Sequence, residues 1–339
     1  MSAHIASLAY AHGKPTITGI LKENPDDFIV IENLSFDPSG EGEHLFLNIQ
    51  KTNKNTLEVS DLLAKHFKVH PKNIAYAGLK DKCAVTSQWF SLPFPIKSKP
   101  DIQGLETESI KVIQSTRNIK KLKRGSILNN HFEIVLRDIQ GNLSTLEHKV
   151  EQINQKGVPN YFGAQRFGKN ENNLISAKKL FNNNIKCSRS QKSLYLSAAR
   201  SFLFNEIVSK RIVDNVWDTV IEGDIATLNS SRSFFNIDSM DQKVQQRLKA
   251  GDIHLSAPLW GQGEAISKDN AFKLEQTVIQ RNPIYSNGLE NAGLQQDRRA
   301  MRLLIPDLKY RIADSNVTFS FSLSSGAYAT SVIRELVLT

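Results

Sequence analysis

Residues 317–323 read VTFSFSL, with Val317, Phe319, Phe321 and Leu323 separated by Thr318, Ser320 and Ser322. Such strict alternation is the two-residue repeat of a strand that buries one face. A second run of this kind stands far upstream, where Phe132, Ile134 and Leu136 alternate with Glu133, Val135 and Arg137. If strands near both ends of the chain join one sheet, the chain between them forms an inserted region. We therefore expect an α/β protein of the α+β kind. Its mixed, mostly antiparallel sheet is drawn from 1–158 and 305–339, and a mainly helical insertion covers 159–304.

Other segments fit this division. DFIVIENL (Asp27–Leu34), HLFLNIQ (His44–Gln50) and Gln88–Pro93 read as strands, and FDPSGEGE between the first two reads as a turn. Leu57, Leu62, Leu63 and Phe67 have the spacing of one apolar helix face, with polar residues at Thr52–Thr56 able to cap its start. In the middle of the chain Leu194, Ala198, Phe202, Leu203 and Ile207 predict a long helix, and the asparagine-rich stretches Asn170–Asn173 and Asn182–Asn184 predict exposed loops.

The 339 residues are 40% hydrophobic and 23% charged, a composition able to build a core. An excess of 43 Lys and Arg over 34 Asp and Glu gives a formal charge of +9, which favours a polyanionic partner. The run RNIKKLKR at Arg117–Arg124 places five cations in eight residues and suits phosphate neutralisation, although a solvated surface gives the same pattern. Two cysteines, Cys83 and Cys187, make neither a disulfide framework nor a metal cluster by themselves. The first twenty residues lack the pattern of a secretory leader, and no run reaches the roughly 18 apolar residues that span a bilayer. A cytoplasmic protein with no membrane partner is expected.

The densest cluster of chemistry-bearing residues is AGLKDKCAVTSQW at Ala77–Trp89. Gly78 opens a turn, Lys80 and Lys82 flank Asp81, and Thr86 and Gln88 offer hydrogen-bonding groups ahead of a strand. An ionised carboxylate is a nucleophile as well as an ion-pair partner. By itself the segment reads more readily as a solvated charged turn.

This segment resembles the signature of the TruD family of pseudouridine synthases, a G-x-K-D-[KR]-x-A-x-T-x-Q pattern. Further segments resemble that family in the same order along the chain: PDDFIVIE at Pro25–Glu32, GSILNNHFEIVLR at Gly125–Arg137, GVPNYFGAQRFG at Gly157–Gly168, SAARSFLFN at Ser197–Asn205 and SGAYATSVIRE at Ser325–Glu335. The resemblance implies a pseudouridine synthase catalytic domain with an inserted TRUD domain. It also implies isomerisation of uridine to pseudouridine at position 13 of tRNA, with Asp81 as catalytic nucleophile and no cofactor.

The resemblance assigns further roles. Phe28 and Phe132 are the aromatic rings, one near the base or its flanking nucleotide and one stacked on the target uracil, and stacking suits a base that must turn over. Asn130 has an amide with a donor and an acceptor for the pyrimidine edge. Lys22 is the cation beside the catalytic aspartate, and Tyr328 is a substrate-binding residue at a place where the family carries an aromatic, often Phe, lining the pocket. Arg166, Arg298 and Arg299 become candidates for phosphate contacts. LSSGAYAT departs from the family's L-P-x-G pattern, with serine at 324 and 325. The expected partner is tRNA, whose target base must leave its stack. Neither a metal nor a membrane is expected, and the chain is expected to be a monomer.

Each residue has a plainer reading. Both phenylalanines suit a strand core, Asn130 suits a turn, and Lys22 suits the surface. Among other functions, a methyltransferase using the Cys83 thiolate lacks a nucleotide-binding glycine loop, since GEG at Gly40–Gly42 sits in a charged turn. A metal hydrolase would need more than His66 and His70, which have helical spacing but no H-E-x-x-H context. A non-catalytic RNA-binding protein would use the same basic surface and leave Asp81 dispensable.

Overall fold

The computed structural model describes residues 3–229 and 233–339. Their contacts define two compact units, one of Met1–Thr16, Ser144–Pro306 and Ala327–Leu338, the other of Ile17–Leu143 and Asp307–Gly326 with Thr339. This boundary departs from the division at 158 and 305. The helices Ser144–Lys156 and Ala329–Leu336 pack on each other, and the second also packs on the short strand Val158–Pro159. Both ends of the chain thus cross into the unit that holds the insertion.

The second unit is organised by seven strands upstream of the insertion: β1 (Thr18–Leu21), β2 (Phe28–Leu34), β3 (His44–Thr52), β4 (Ala75–Tyr76), β5 (Val85–Pro93), β6 (Ile110–Asn118) and β7 (Ile127–Gln140). Two more strands, Lys309–Ala313 and Asn316–Ser324, return after it. They form one sheet in the order Lys309–Ala313, Asn316–Ser324, β7, β2, β5, β3, β6, with β1 paired to β7 and β4 to β5. The run that opened the sequence reading lies directly along the second alternating run, Phe321 opposite Phe132 and Val317 opposite Leu136. Only β2 and β5 run parallel. Their connection needs a crossover, which β3 and the helix Thr56–His66 supply.

That helix starts with a capping box, in which Asn55 accepts from the Glu58 N–H at 2.9 Å and Glu58 from the Asn55 N–H at 2.6 Å. It buries Val59, Leu63 and Ala64 against Leu45, Leu47 and Ile49 of β3. Each fully buried valine, leucine or isoleucine here contributes about 1.5–3 kcal/mol relative to exposure. Leu57, expected on this face, is exposed, because the i, i+4 pair Val59 and Leu63 turns toward the sheet instead.

The other unit is built around the helix Arg189–Val213, whose Ala198, Leu203 and Ile207 are buried. Leu194, assigned to that face, is exposed one turn from the helix start. Helices Asn172–Phe181, Asp269–Arg281 and Pro283–Asn291 pack around it. An antiparallel sheet of Phe234–Asn236, Ile225–Leu228, Ile253–Leu259 and Asp297–Ala300 completes the core. Asn170 and Glu171 are left-handed, as a loop allows, but Asn172 and Asn173 already start a helix.

Candidate active site

The segment Ala77–Ala84 joins β4 to β5 without regular structure, and side chains from three elements hold it. Gln88 Nε2 donates to the Gly78 carbonyl at 2.6 Å, while Gln88 Oε1 accepts from Thr56 Oγ1 at 2.9 Å. Thr56 Oγ1 in turn accepts from the Lys80 N–H at 2.9 Å. From β3, the fully buried Lys51 donates to the carbonyl of Asp81 at 2.9 Å and to that of Lys54 at 2.5 Å. Gln88 is therefore the scaffold of the turn, and Thr86 lies buried in β5 opposite Val30.

Asp81 is half-exposed, and Lys22 Nζ lies 2.7 Å from its Oδ2. The flanking lysines go elsewhere: Lys80 pairs with Glu32 at 2.6 Å and Lys82 with Glu58 at 3.6 Å. Lys22 follows the end of β1 with a φ of 59°, a left-handed backbone that costs a non-glycine residue roughly 1–3 kcal/mol. This bend carries its ammonium over the Phe28 ring, 3.7 Å from the centroid. A partly exposed ion pair contributes about 1 kcal/mol or less to stability, so the pair serves orientation more than folding.

Phe28 and Phe132 come from the adjacent strands β2 and β7 and meet edge to face with centroids 6.0 Å apart. Both are buried, and Phe321 stacks on Phe132 at 5.6 Å. Asn130 lies two residues from Phe132 on β7, opposite Glu32 of β2, and its Oδ1 accepts from Lys80 Nζ at 2.5 Å. The fold thus brings Lys22, Phe28, Asp81, Asn130 and Phe132 into one unit: Lys22 contacts both Asp81 and Phe28, Phe28 meets Phe132, and Asn130 is held by Lys80.

Tyr328 belongs to the other unit, where it precedes the helix Ala329–Leu336. Its hydroxyl accepts from Arg166 Nε at 3.0 Å and its ring meets Phe162 edge to face. Arg299 lies over the same Phe162 ring, 4.2 Å from its centroid, and donates to Asn160 Oδ1 at 2.6 Å. Burial lowers the Arg299 guanidinium to about 10. Arg298 is no phosphate ligand: it is buried against Glu275 at 2.9 Å and against Ser256.

Several expectations change in detail. In the basic run, Arg117 is spent on the carbonyls of Phe94, Pro95 and Ser98, and Lys120, Lys121, Lys123 and Arg124 are exposed. His66 ends its helix and bonds to the Asp101 carbonyl, whereas His70 lies beyond that helix and caps Pro71–Asn73, so the two do not share a helix face. Cys83 is exposed. Sequence reasoning missed the roles of Lys51, Glu32 and Phe321: Glu32 and Phe321 reach the site through strand pairing, and Lys51 through its hydrogen bonds to the turn.

A carboxylate held by a cation, beside an aromatic pair and an amide, offers the groups that nucleophilic attack on a planar base would use. The family model for tRNA pseudouridine synthase D (TruD) matches residues 4–188 and 172–336. The chain is 44% identical to tRNA pseudouridine synthase D of Methylococcus capsulatus over 332 residues, covering 97% of this chain and 94% of the relative. It is 43% identical to that of Aeromonas hydrophila, covering 98% and 94%. A crystal structure described as a putative tRNA pseudouridine synthase D from Methanosarcina mazei superposes with a TM-score of 0.78 at 21% identity, over 97% of this chain and 95% of that one, and shares the fold. The chain belongs to the tRNA pseudouridine synthase D family.

Proposed function

We propose that this chain isomerises uridine to pseudouridine at position 13 of tRNA, with Asp81 as nucleophile and without a cofactor. The observation that carries the reading is the Lys22–Asp81 pair at 2.7 Å, set beside Phe28, Phe132 and Asn130 in a chain of this family. The reaction breaks the bond from uracil N1 to ribose C1′, turns the base, and joins C5 to C1′. The C5 proton is lost and N1 gains one, so there is no net redox change and no group donor is consumed.

Asp81 adds as a carboxylate to C6 of the base or to C1′ of the ribose, and Lys22, 2.7 Å away, holds it in place. The Phe132 ring gives the detached base a surface on which to turn, because stacking tolerates rotation better than directional bonds do. Asn130 reads the pyrimidine edge. The exposed cations of Lys120–Arg124 hold phosphates and position the RNA. In this reading the protein is a cytoplasmic monomer, and its partner is tRNA with the target base drawn out of its stack.

Incubation of the purified protein, without additives, with an unmodified tRNA transcript tests the reading. Pseudouridine is mapped by carbodiimide adducts and primer extension. We expect product at position 13 with the wild type and none with Asp81→Asn, which should still bind the transcript. Product elsewhere, or an active Asp81→Asn, would overturn it. An RNA-binding protein without catalysis would bind and give no product in either case.

A further inference from the structure

Lys80 has a role that its neighbour Asp81 conceals. Its ammonium lies 2.6 Å from Glu32 Oε2 and 2.5 Å from Asn130 Oδ1, with only 11% of the Lys80 side chain and none of the Glu32 side chain exposed. Glu32 is itself fixed, because its other oxygen accepts from the Trp89 N–H at 3.1 Å. The register sets Glu32 directly across from Asn130 on the neighbouring strand, and the Thr56 hydroxyl holds the Lys80 backbone at 2.9 Å.

An ammonium donates and cannot accept. Lys80 therefore dictates which end of the Asn130 amide it faces: the oxygen turns to Lys80 and the NH₂ group points the other way. A flipped amide would set two donors against each other beside a buried charge.

We propose that Lys80, anchored by Glu32, is a positioning residue that locks Asn130 as a hydrogen-bond donor toward the substrate. The base contact it creates is selective for a carbonyl at position 4 of the pyrimidine. Uracil presents an acceptor oxygen there, while cytosine presents an amino group that would oppose the Asn130 NH₂. This inference rests on the reading of Asn130 as a base contact and adds the direction of its hydrogen bond and the residue pair that sets it.

The test uses full-length protein and tRNA transcripts carrying either uridine or 4-thiouridine at the target position, since sulfur is a weaker acceptor than oxygen. Single-turnover rates are followed by nuclease digestion and nucleoside chromatography. The wild type should prefer uridine by roughly tenfold, about the value of one neutral hydrogen bond. Glu32→Gln with Lys80→Met removes both buried charges together, so neither is left unpaired. It should bring the preference to within about twofold. Asn130→Ala, at a half-exposed position, should do the same, and adding the double change to it should alter the preference no further.

A wild-type preference retained in either variant would overturn the proposal while leaving the isomerase reading intact. A merely structural role would lower both rates alike and keep their ratio, which also counts against it. If the wild type converts no uridine, the isomerase reading itself fails and the proposal falls with it.

Discussion

Lys51, a lysine with no exposed surface, donates from Nζ to the backbone carbonyl of Asp81 at 2.9 Å. Burial lowers its ammonium from 10.5 to about 8, a shift opposed by the nearby Asp81 carboxylate. The turn that carries Asp81 is thus tied by a buried cation.

Two opposite pH effects are expected from Lys51. Above about 8 the folded chain has released a proton that the unfolded chain holds up to 10.5, so the Lys51 contribution to stability rises with pH across that window. Over the same range the Lys51 cation that holds the Asp81 carbonyl disappears, and the single-turnover rate should fall with a midpoint near 8. Lys51→Met should remove that limb of the pH–rate profile and slow turnover at pH 7 by about 10–100-fold, the usual cost of a loosened catalytic group. A profile unchanged in the variant would exclude Lys51 as its source.

Lys22→Met should act on turnover rather than binding. The variant keeps the length of the side chain over Phe28 and loses the ion pair to Asp81. We expect kcat to drop by about 10–100-fold with little change in KM, because the misplaced group acts in the chemical step. A rise in KM alone would mean that Lys22 binds phosphate instead.

Cys83, exposed two residues after Asp81, is expected to be dispensable. Cys83→Ala should retain the rate within about twofold, as surface substitutions generally do. Complete loss of activity would restore a thiolate mechanism.

In the other unit, Arg211 and Asp224 form an ion pair in which neither side chain is exposed. Asp224 also accepts from the Ile221 N–H at 2.9 Å. Asp224→Asn should therefore destabilise the fold by about 3–5 kcal/mol, since it leaves a buried guanidinium uncompensated. Urea unfolding at neutral pH measures this, and a loss under about 1 kcal/mol would show that water reaches the pair.

The pattern of the chain was a good guide wherever one face of an element is buried. Val317–Leu323 and Phe132–Leu136 alternate because each second side chain enters the core, and they pair with each other as that alternation suggests. Leu57 misled because an amphipathic helix leaves several equivalent faces on paper and packing selects one. Arg298 misled similarly, since a cation looks the same in sequence whether it meets a phosphate or, as here, a buried Glu275.

The sequence by itself determined five of the nine strands of the main sheet, the long central helix of the insertion, and the turn that carries Asp81, because local periodicity and a contiguous motif encode them. Only the tertiary structure decided which cation serves that carboxylate. The lysines adjacent in sequence turn away to Glu32 and Glu58, and the partner is Lys22, brought in by a left-handed bend after a separate strand. Strand register likewise set Glu32 opposite Asn130 and Phe321 opposite Phe132. Such pairings join residues far apart in the chain, and hydrogen bonding between strands, which leaves no local trace in composition or spacing, is what brings them together.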